Sequence, residues 1–75
     1  MDPIGLNVGA WYLTELRPDA WLADEAYAWA VRVNTTGDAI GEVTLLPSGE
    51  VTVDGADSEG LRTARAAVER FGASL

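Results

Sequence analysis

The last third of the chain carries a helical pattern of apolar residues. They recur at positions i, i+3, i+7 and i+10, so they share one face of a helix: Leu61, Ala64, Val68 and Phe71. Asp57 or Ser58 can cap the start of this helix by accepting a hydrogen bond from a free backbone N–H, and Gly72 suits its end. The pattern predicts an amphipathic C-terminal helix.

Alternation with a period of two predicts strands in the first and middle parts of the chain. Residues 8–16 alternate as a first strand, which ends before Pro18 because proline restricts its own φ and the residue before it. Residues 40–46 and 50–53 alternate in the same way. Between them, Leu46-Pro47-Ser48-Gly49 is typical of a short hairpin with a bulge.

The segment between these strands matches two templates. One set of apolar residues lies at helical spacing: Leu22, Ala26, Trp29 and Val33. Aromatic and β-branched residues also alternate from residue 27 to residue 33, which favours a strand. We therefore predict a short helical turn over 19–25 and a strand over 26–34. Whether residues 19–26 are helix or strand stays open.

These elements predict an α+β fold. We expect a small antiparallel sheet of three to four strands, with the C-terminal amphipathic helix packed on one face, because short links join antiparallel neighbours. Residues 1–75 form a single domain, in which residues 1–7 are a loose N-terminal arm. The expected core face of the sheet carries the alternating apolar residues: Tyr27, Trp29, Val31, Val33, Val43, Leu45, Val51 and Val53.

Two tryptophans exceed what this core requires. Either Trp11 or Tyr12 must point away from the helix, and Trp21 lies in a connection. Surplus aromatic residues on a surface often mark an interface. Alternatively, Trp11 and Trp21 fold back over the edge of the sheet and fill a small satellite core. With three Trp in so short a chain, we expect at least one at an interface.

The amino-acid composition limits the chemistry. The chain is 48% hydrophobic, which is too apolar for a disordered protein despite a net charge of −7. It has no His, Cys or Lys, so it lacks the commonest general base, the thiolate and amine nucleophiles and the usual soft metal ligands. We expect no enzymatic activity, no disulfide, no cofactor and no metal ion.

Charge and hydropathy also bear on partners and location. An acidic domain repels phosphate backbones, so we expect no direct binding to nucleic acid. No segment has the roughly 20 apolar residues that a membrane span requires. The start of the chain has no basic region of the secretory type. We therefore expect a cytoplasmic protein that does not bind membranes.

The carboxylates form two candidate clusters. The first comprises Asp19, Asp24 and Glu25 beside Trp21, and the second comprises Glu42, Glu50 and Asp54 on the outer face of the sheet. An acidic surface with an aromatic anchor suits a basic protein partner, although a solvated face would carry the same residues. The candidate partner-binding residues are Trp11, Trp21, Asp19, Asp24, Glu25, Glu42 and Glu50.

These features favour a small acidic protein-binding module that inhibits or neutralises a partner protein, such as a phage-encoded inhibitor of host defence or an immunity or antitoxin-like protein. The alternative is a structural or assembly protein, such as a small phage-particle component or an obligate homo-oligomer, and a homodimer through an open sheet edge fits it. The order of hairpin, strand and capped helix over residues 27–71 resembles the antitoxin half of HicB-type toxin–antitoxin pairs. No diagnostic motif accompanies this resemblance, so it assigns no residue a role.

Overall fold

A computed structural model describes all residues, 1–75, as a five-stranded antiparallel sheet with two helices. The strands lie side by side in the order of the sequence: β1 Leu6–Val8, β2 Trp11–Leu16, β3 Tyr27–Val33, β4 Ala39–Leu45 and β5 Val51–Asp54. The short helix α1, Pro18–Leu22, connects β2 to β3, and the long helix α2, Glu59–Ala73, follows β5. The α+β architecture, the antiparallel sheet and the C-terminal helix agree with the sequence pattern.

The sheet has five strands, where the sequence predicts three to four. The difference arises at Gly9, which divides the strand predicted over residues 8–16. Gly9 has a φ of 72° and forms with Ala10 a two-residue turn, so that Val8 pairs with Trp11. Positive φ at the first corner alone is typical of the type II′ turns that join hairpin strands. β1 and β2 are therefore a hairpin.

The N-terminal segment is attached to the core, which differs from the loose arm expected over residues 1–7. Its last two residues, Leu6 and Asn7, belong to β1. The indole N–H of Trp29 donates a hydrogen bond of 2.7 Å to the carbonyl oxygen of Ile4. A buried indole N–H requires an acceptor, and the arm supplies it.

The ambiguous segment contains both a helix and a strand. α1 begins with Pro18 in its first turn, where a missing N–H costs nothing, and its preceding residue Arg17 has a left-handed φ of 52°. The strand over Tyr27–Val33 then agrees closely with the prediction for residues 26–34. Alternation of aromatic and β-branched residues was the correct signal here.

α2 lies across one face of the sheet, mainly over β4 and β5. Ser58 is its N-cap, because the side chain of Ser58 accepts a hydrogen bond of 3.3 Å from the backbone N–H of Leu61. Gly60 allows the first turn to approach closely, since a Cβ atom there would lie 2.6 Å from Nε1 of Trp11. We call the side of the sheet that α2 packs on the covered face, and the opposite side the uncovered face.

The hydrophobic core lies entirely on the covered face. Its largest fully buried side chains are Trp21, Trp29, Leu13, Leu61, Val31, Val43 and Val68. Trp29 is central, because it packs edge-to-face against Trp21 on one side and Phe71 on the other, with ring centroids 4.9 and 5.6 Å apart. α1 and α2 therefore cover the same face, and neither helix has the length and hydropathy needed to cross a membrane.

Candidate protein-binding surface

The first predicted cluster does not have the aromatic anchor that was expected of it. Trp21 is 0% exposed and packs against Tyr27 as well as Trp29, so it belongs to the core and offers no surface for a partner. Its indole N–H donates to the carbonyl oxygen of Ala28 at 3.3 Å. Trp21 is therefore part of the main core and not of a separate satellite core, and it does not lie at the surface, where a contact residue would have to be.

The carboxylate of Asp24 is occupied by intramolecular hydrogen bonds. The amine of Met1 and the hydroxyl of Tyr27 each donate to its Oδ1 atom at 2.8 Å. The hydrogen bond from the ammonium group, followed by that from the hydroxyl, lowers the pKa of Asp24 below its ordinary value of 3.8. The same contact with Asp24, together with burial, raises the pKa of Tyr27 above 10.0. Asp24 therefore acts as an anchor for the N-terminal segment.

The other two members of the first cluster, Asp19 and Glu25, are exposed. Asp19 lies in the first turn of α1, where a negative charge complements the helix dipole. Neither side chain has an aromatic neighbour at the surface, because Trp21 is buried beneath them. Two solvated carboxylates remain of the first cluster.

Trp11 also faces the core. It shares the covered face with Leu13, and its ring meets the start of α2 at Gly60. The side chain is only partly buried, so its rim reaches solvent at the edge of α2. The surplus aromatic on the uncovered face is therefore Tyr12, which sequence reasoning left as one of two choices.

The second predicted cluster is brought together only in part on the uncovered face. Glu42 on β4 and Asp54 on β5 are register partners, so their side chains stand next to each other on the same face. Glu50 lies directly before β5 and is exposed, as is Asp54. Glu50 is four residues from Asp54 along the extended chain, about 13 Å away. The carboxylates therefore mark the two ends of β5, with a close pair at one end.

Small residues of β3 lie along the centre of the uncovered face. Ala28 and Ala30 are 1% and 5% exposed although no helix lies over them. Longer side chains of the neighbouring strands flank them: Thr14, Leu16, Glu42 and Thr44. The guanidinium group of Arg17 forms an ion pair with Glu42, with 3.2 Å between Nη2 and Oε1. The flanking side chains therefore shield the centre of this face.

The far end of β5 differs from the expected core. Val53 lies on the covered face but is 38% exposed, because α2 does not extend over it completely. A shallow groove runs between β5 and α2 here, with Leu61 at its base and Arg62 and Arg65 on the helix side. The sequence gives no sign of this exposure, since it depends on where the helix crosses the edge of the sheet.

Nowhere do three or more carboxylates converge in a way that could hold a metal ion. Arg32 on the uncovered face donates hydrogen bonds to the side chain of Thr14 and to the carbonyl oxygen of Gly37. No protein-family model, curated protein or solved structure matches this chain.

Proposed function

We propose that this chain is a small acidic protein-binding module that attaches to a basic surface of another protein and inhibits or neutralises it. The observation that carries this proposal is the uncovered face: a whole side of a five-stranded sheet is free of any helix, and three carboxylates border its β5 side, a Glu42–Asp54 pair at one end of the strand and Glu50 at the other. The binding residues retained from the sequence are Glu42 and Glu50, with Asp54 added.

The division between the two faces supports this proposal. Every large, fully buried side chain lies on the covered face or on the helices above it. The uncovered face is therefore held rigidly by a core to which it contributes little. A preformed surface loses little conformational entropy when it binds, which favours recognition by a sheet over recognition by a loop.

The composition supports inhibition rather than catalysis. The chain has no His, Cys or Lys, and its net charge is −7. Such a protein can act on a partner by occupying a functional basic surface. Long-range attraction would speed association with a positively charged partner, so we expect binding to weaken as the salt concentration rises.

Paired charge reversals test the location of the surface. Glu50→Lys with Asp54→Lys removes the carboxylates beside β5, and Asp19→Lys with Glu25→Lys changes net charge equally at a distance from them. Partners would be captured from a lysate of the source cells on the immobilised wild-type protein, and the affinity of each purified partner measured by surface plasmon resonance. We expect the first variant to bind at least about tenfold more weakly and the second to stay within about twofold.

The outcomes distinguish binding through a particular acidic surface from attraction by the net charge of the whole protein. Equal losses in both variants would mean that only net charge matters, and an unchanged affinity of the first variant would refute the proposed surface. A loss confined to the second variant would transfer the function to the α1 side. Both variants should stay folded, because all four carboxylates are exposed, and Asp19→Lys should lower the unfolding temperature only slightly, since it reverses a charge that complements the dipole of α1.

The second candidate function is self-assembly into a homo-oligomer. The observation that favours it is the open edge of β5, which pairs with β4 on one side only. Unpaired strand edges readily join other strands. Sedimentation velocity over a wide range of protein concentration distinguishes this candidate, since a monomer at the highest concentration would contradict it.

A further inference from the structure

The sheet has two open edges, β1 and β5. β1 has three residues between Gly5 and Gly9, and a short edge strand is a poor template for pairing. β5 has four residues, Val51–Asp54. Neither edge strand contains proline or lysine or has a bulge, which are features that proteins commonly use to block an edge. β5 is therefore an open edge and slightly the longer of the two.

The hydrogen-bond pattern identifies which backbone groups of β5 are free. The backbone N–H of Leu46 donates to the carbonyl oxygen of Glu50 at 2.9 Å, so this pair is hydrogen-bonded. Antiparallel pairs alternate between hydrogen-bonded and non-hydrogen-bonded, so Thr52 and Asp54 also bond to β4. The N–H and C=O groups of Val51 and Val53 consequently point to the open edge.

The side chains bordering this edge differ between its two sides. On the uncovered face, Asp54 lies beside the edge with Glu42 directly behind it. On the covered face, Val53 is 38% exposed above the groove that contains Leu61. Arg62 and Arg65 on the helix side also line that groove, together with Asp57. Both arginines are ion-paired, Arg62 with Asp57 at 2.9 Å and Arg65 with Glu69 at 3.7 Å. The groove therefore offers an incoming side chain two apolar contacts, Val53 and Leu61, and no unpaired carboxylate.

We propose that β5 accepts an extended segment of a partner protein as a sixth strand, in which basic side chains alternate with apolar ones. The basic side chains would lie on the uncovered face beside Asp54 and Glu50, and the apolar ones would pack on Val53 in the groove. Strand addition of this kind obtains affinity from backbone hydrogen bonds and specificity from alternate side chains. This inference rests on the proposed function and specifies its mode of binding.

A second copy of the chain fits this edge less well. If β5 pairs with β5 of a second copy, the valines of the two strands lie opposite each other when a two-fold axis passes through Thr52 or through Val53. The axis through Thr52 sets Val51 opposite Val53 of the second copy, but it also sets Glu50 opposite Asp54. Like charges directly opposite each other destabilise a strand pair, and each copy carries a net charge of −7. The axis through Val53 sets Thr52 opposite Asp54 instead, so only the net charge of −7 on each copy opposes that pairing. On charge, a basic strand therefore suits this edge better than a second copy does.

Two synthetic octapeptides of equal composition test the alternation. The first alternates arginine and valine, and the second contains four arginines followed by four valines, both with blocked termini and a fluorescent label. Binding to the full chain would be followed by fluorescence anisotropy, with the site mapped by NMR amide shifts. We expect the alternating peptide to bind at least about tenfold more tightly and to shift the amides of β5. Equal binding of both peptides, or shifts elsewhere, would overturn the inference.

Proline substitutions at the two edges provide matched variants. Val53→Pro removes an outward N–H without breaking a bond to β4. Asn7→Pro does the same on β1, because the two-residue turn makes Val8–Trp11 a hydrogen-bonded pair and turns the N–H of Asn7 outward. We expect the alternating peptide to lose affinity by at least about tenfold with Val53→Pro and to stay within about twofold with Asn7→Pro. If Val53→Pro fails to fold, N-methylation of Val53 in a chemically synthesised chain removes the same donor.

The results distinguish this inference from the proposed function. If Val53→Pro binds the peptide and the captured partner as the wild type does, while Glu50→Lys with Asp54→Lys loses the partner, strand addition is refuted and the acidic surface stands. If neither variant loses binding, both proposals fail. A wild-type dimer that Val53→Pro converts to a monomer would assign the edge to a second copy and overturn the inference.

Discussion

Adjacent residues of β3 show how differently the two faces of the sheet are built. Trp29 points to the covered face, where Trp21 and Phe71 enclose its ring. Ala30 points to the uncovered face, where only the side chains of flanking strands shield it. Burial on one face comes from packed layers, and on the other from small residues between taller neighbours. The first arrangement stabilises the fold, and the second leaves a surface available.

Under the proposed function, this contrast would separate stability from binding in a chain of 75 residues. A small domain has few residues to distribute between the two tasks, and its core is correspondingly marginal. Placing the aromatic core on one face leaves substitutions on the other face free to alter binding with little effect on folding. Substitutions on the covered face should therefore lower the measured free energy of unfolding much more than substitutions on the uncovered face.

The largest effect is expected at Trp29 on the covered face. Trp29→Ala removes the ring between Trp21 and Phe71 and leaves a cavity, which costs about 3–5 kcal/mol. It also leaves the carbonyl oxygen of Ile4 without its donor. Urea unfolding followed by circular dichroism would show a much lower midpoint or no cooperative transition at all.

Trp29→Phe is the control for this variant. It keeps an aromatic ring in the cluster but removes the indole N–H that binds Ile4, so the loss of stability should be smaller than with alanine. A cost below about 1 kcal/mol for Trp29→Ala would show that the core does not depend on the aromatic cluster.

A smaller effect is expected where the backbone of the covered face is most crowded. A Cβ atom on Gly41 would lie 2.5 Å from the carbonyl oxygen of Asp54 and 2.8 Å from Leu61. Gly41→Ala therefore forces β5 or α2 to move, at about 1–3 kcal/mol. Gly49→Ala is a useful contrast, because nothing lies within 4 Å of its Cβ position and only the φ of 93° opposes it. A wild-type unfolding midpoint for Gly41→Ala would refute this account of the crowding.

The sequence predicts those elements whose signals are local. The stripe from Leu61 to Phe71 predicts α2, and the turn at residues 46–49 predicts the β4–β5 hairpin. The turn at Gly9 was missed because the residues on both sides of it continue the alternation of a single strand. One glycine in an alternating pattern is compatible with a strand interior, a bulge or a turn.

The position of surface residues was harder to predict than the elements. Glu42 and Glu50 were placed correctly on the outer face, because strand parity is visible in the sequence. Trp21 was wrongly assigned to the surface, since its burial depends on how α1 folds back onto Trp29. The exposure of Val53 depends likewise on the path of α2 across the sheet. The face on which a strand residue lies follows from its position in the local alternation, whereas the burial of Trp21 and Val53 depends on how distant helices pack on the sheet.

On the uncovered face, the ion pair between Arg17 and Glu42 is expected to contribute little to stability. Both side chains are about half exposed, at 58% and 42%, so solvent screens their attraction. A double-mutant cycle of Arg17→Ala and Glu42→Gln should give a coupling energy of about 0.2–1 kcal/mol, falling with added salt. A coupling above about 2 kcal/mol would contradict the division between the faces, because the uncovered face would then stabilise the fold.

The smallest effect is expected from the titration of Asp24, whose carboxylate anchors the N-terminal segment beside the core. Its pKa in the folded chain is held below the ordinary 3.8, first by the ammonium group of Met1 and then by the hydroxyl of Tyr27. A lowered pKa contributes stability that is present above the unfolded value and is lost as the pH falls through the folded value. The pKa of Tyr27 is raised, so its contribution is present below 10.0 and is lost at higher pH. Carbon-13 NMR titration should find the Asp24 carboxyl below 3.8, and Asp24→Asn should lower the pKa of Tyr27 towards its ordinary value, with the part due to burial remaining. An unshifted Asp24 would mean that its carboxylate does not anchor the N-terminal segment, which would then be held by the hydrogen bond from Met1 to the carbonyl oxygen of Trp21, by the Trp29–Ile4 hydrogen bond and by the pairing of β1 with β2.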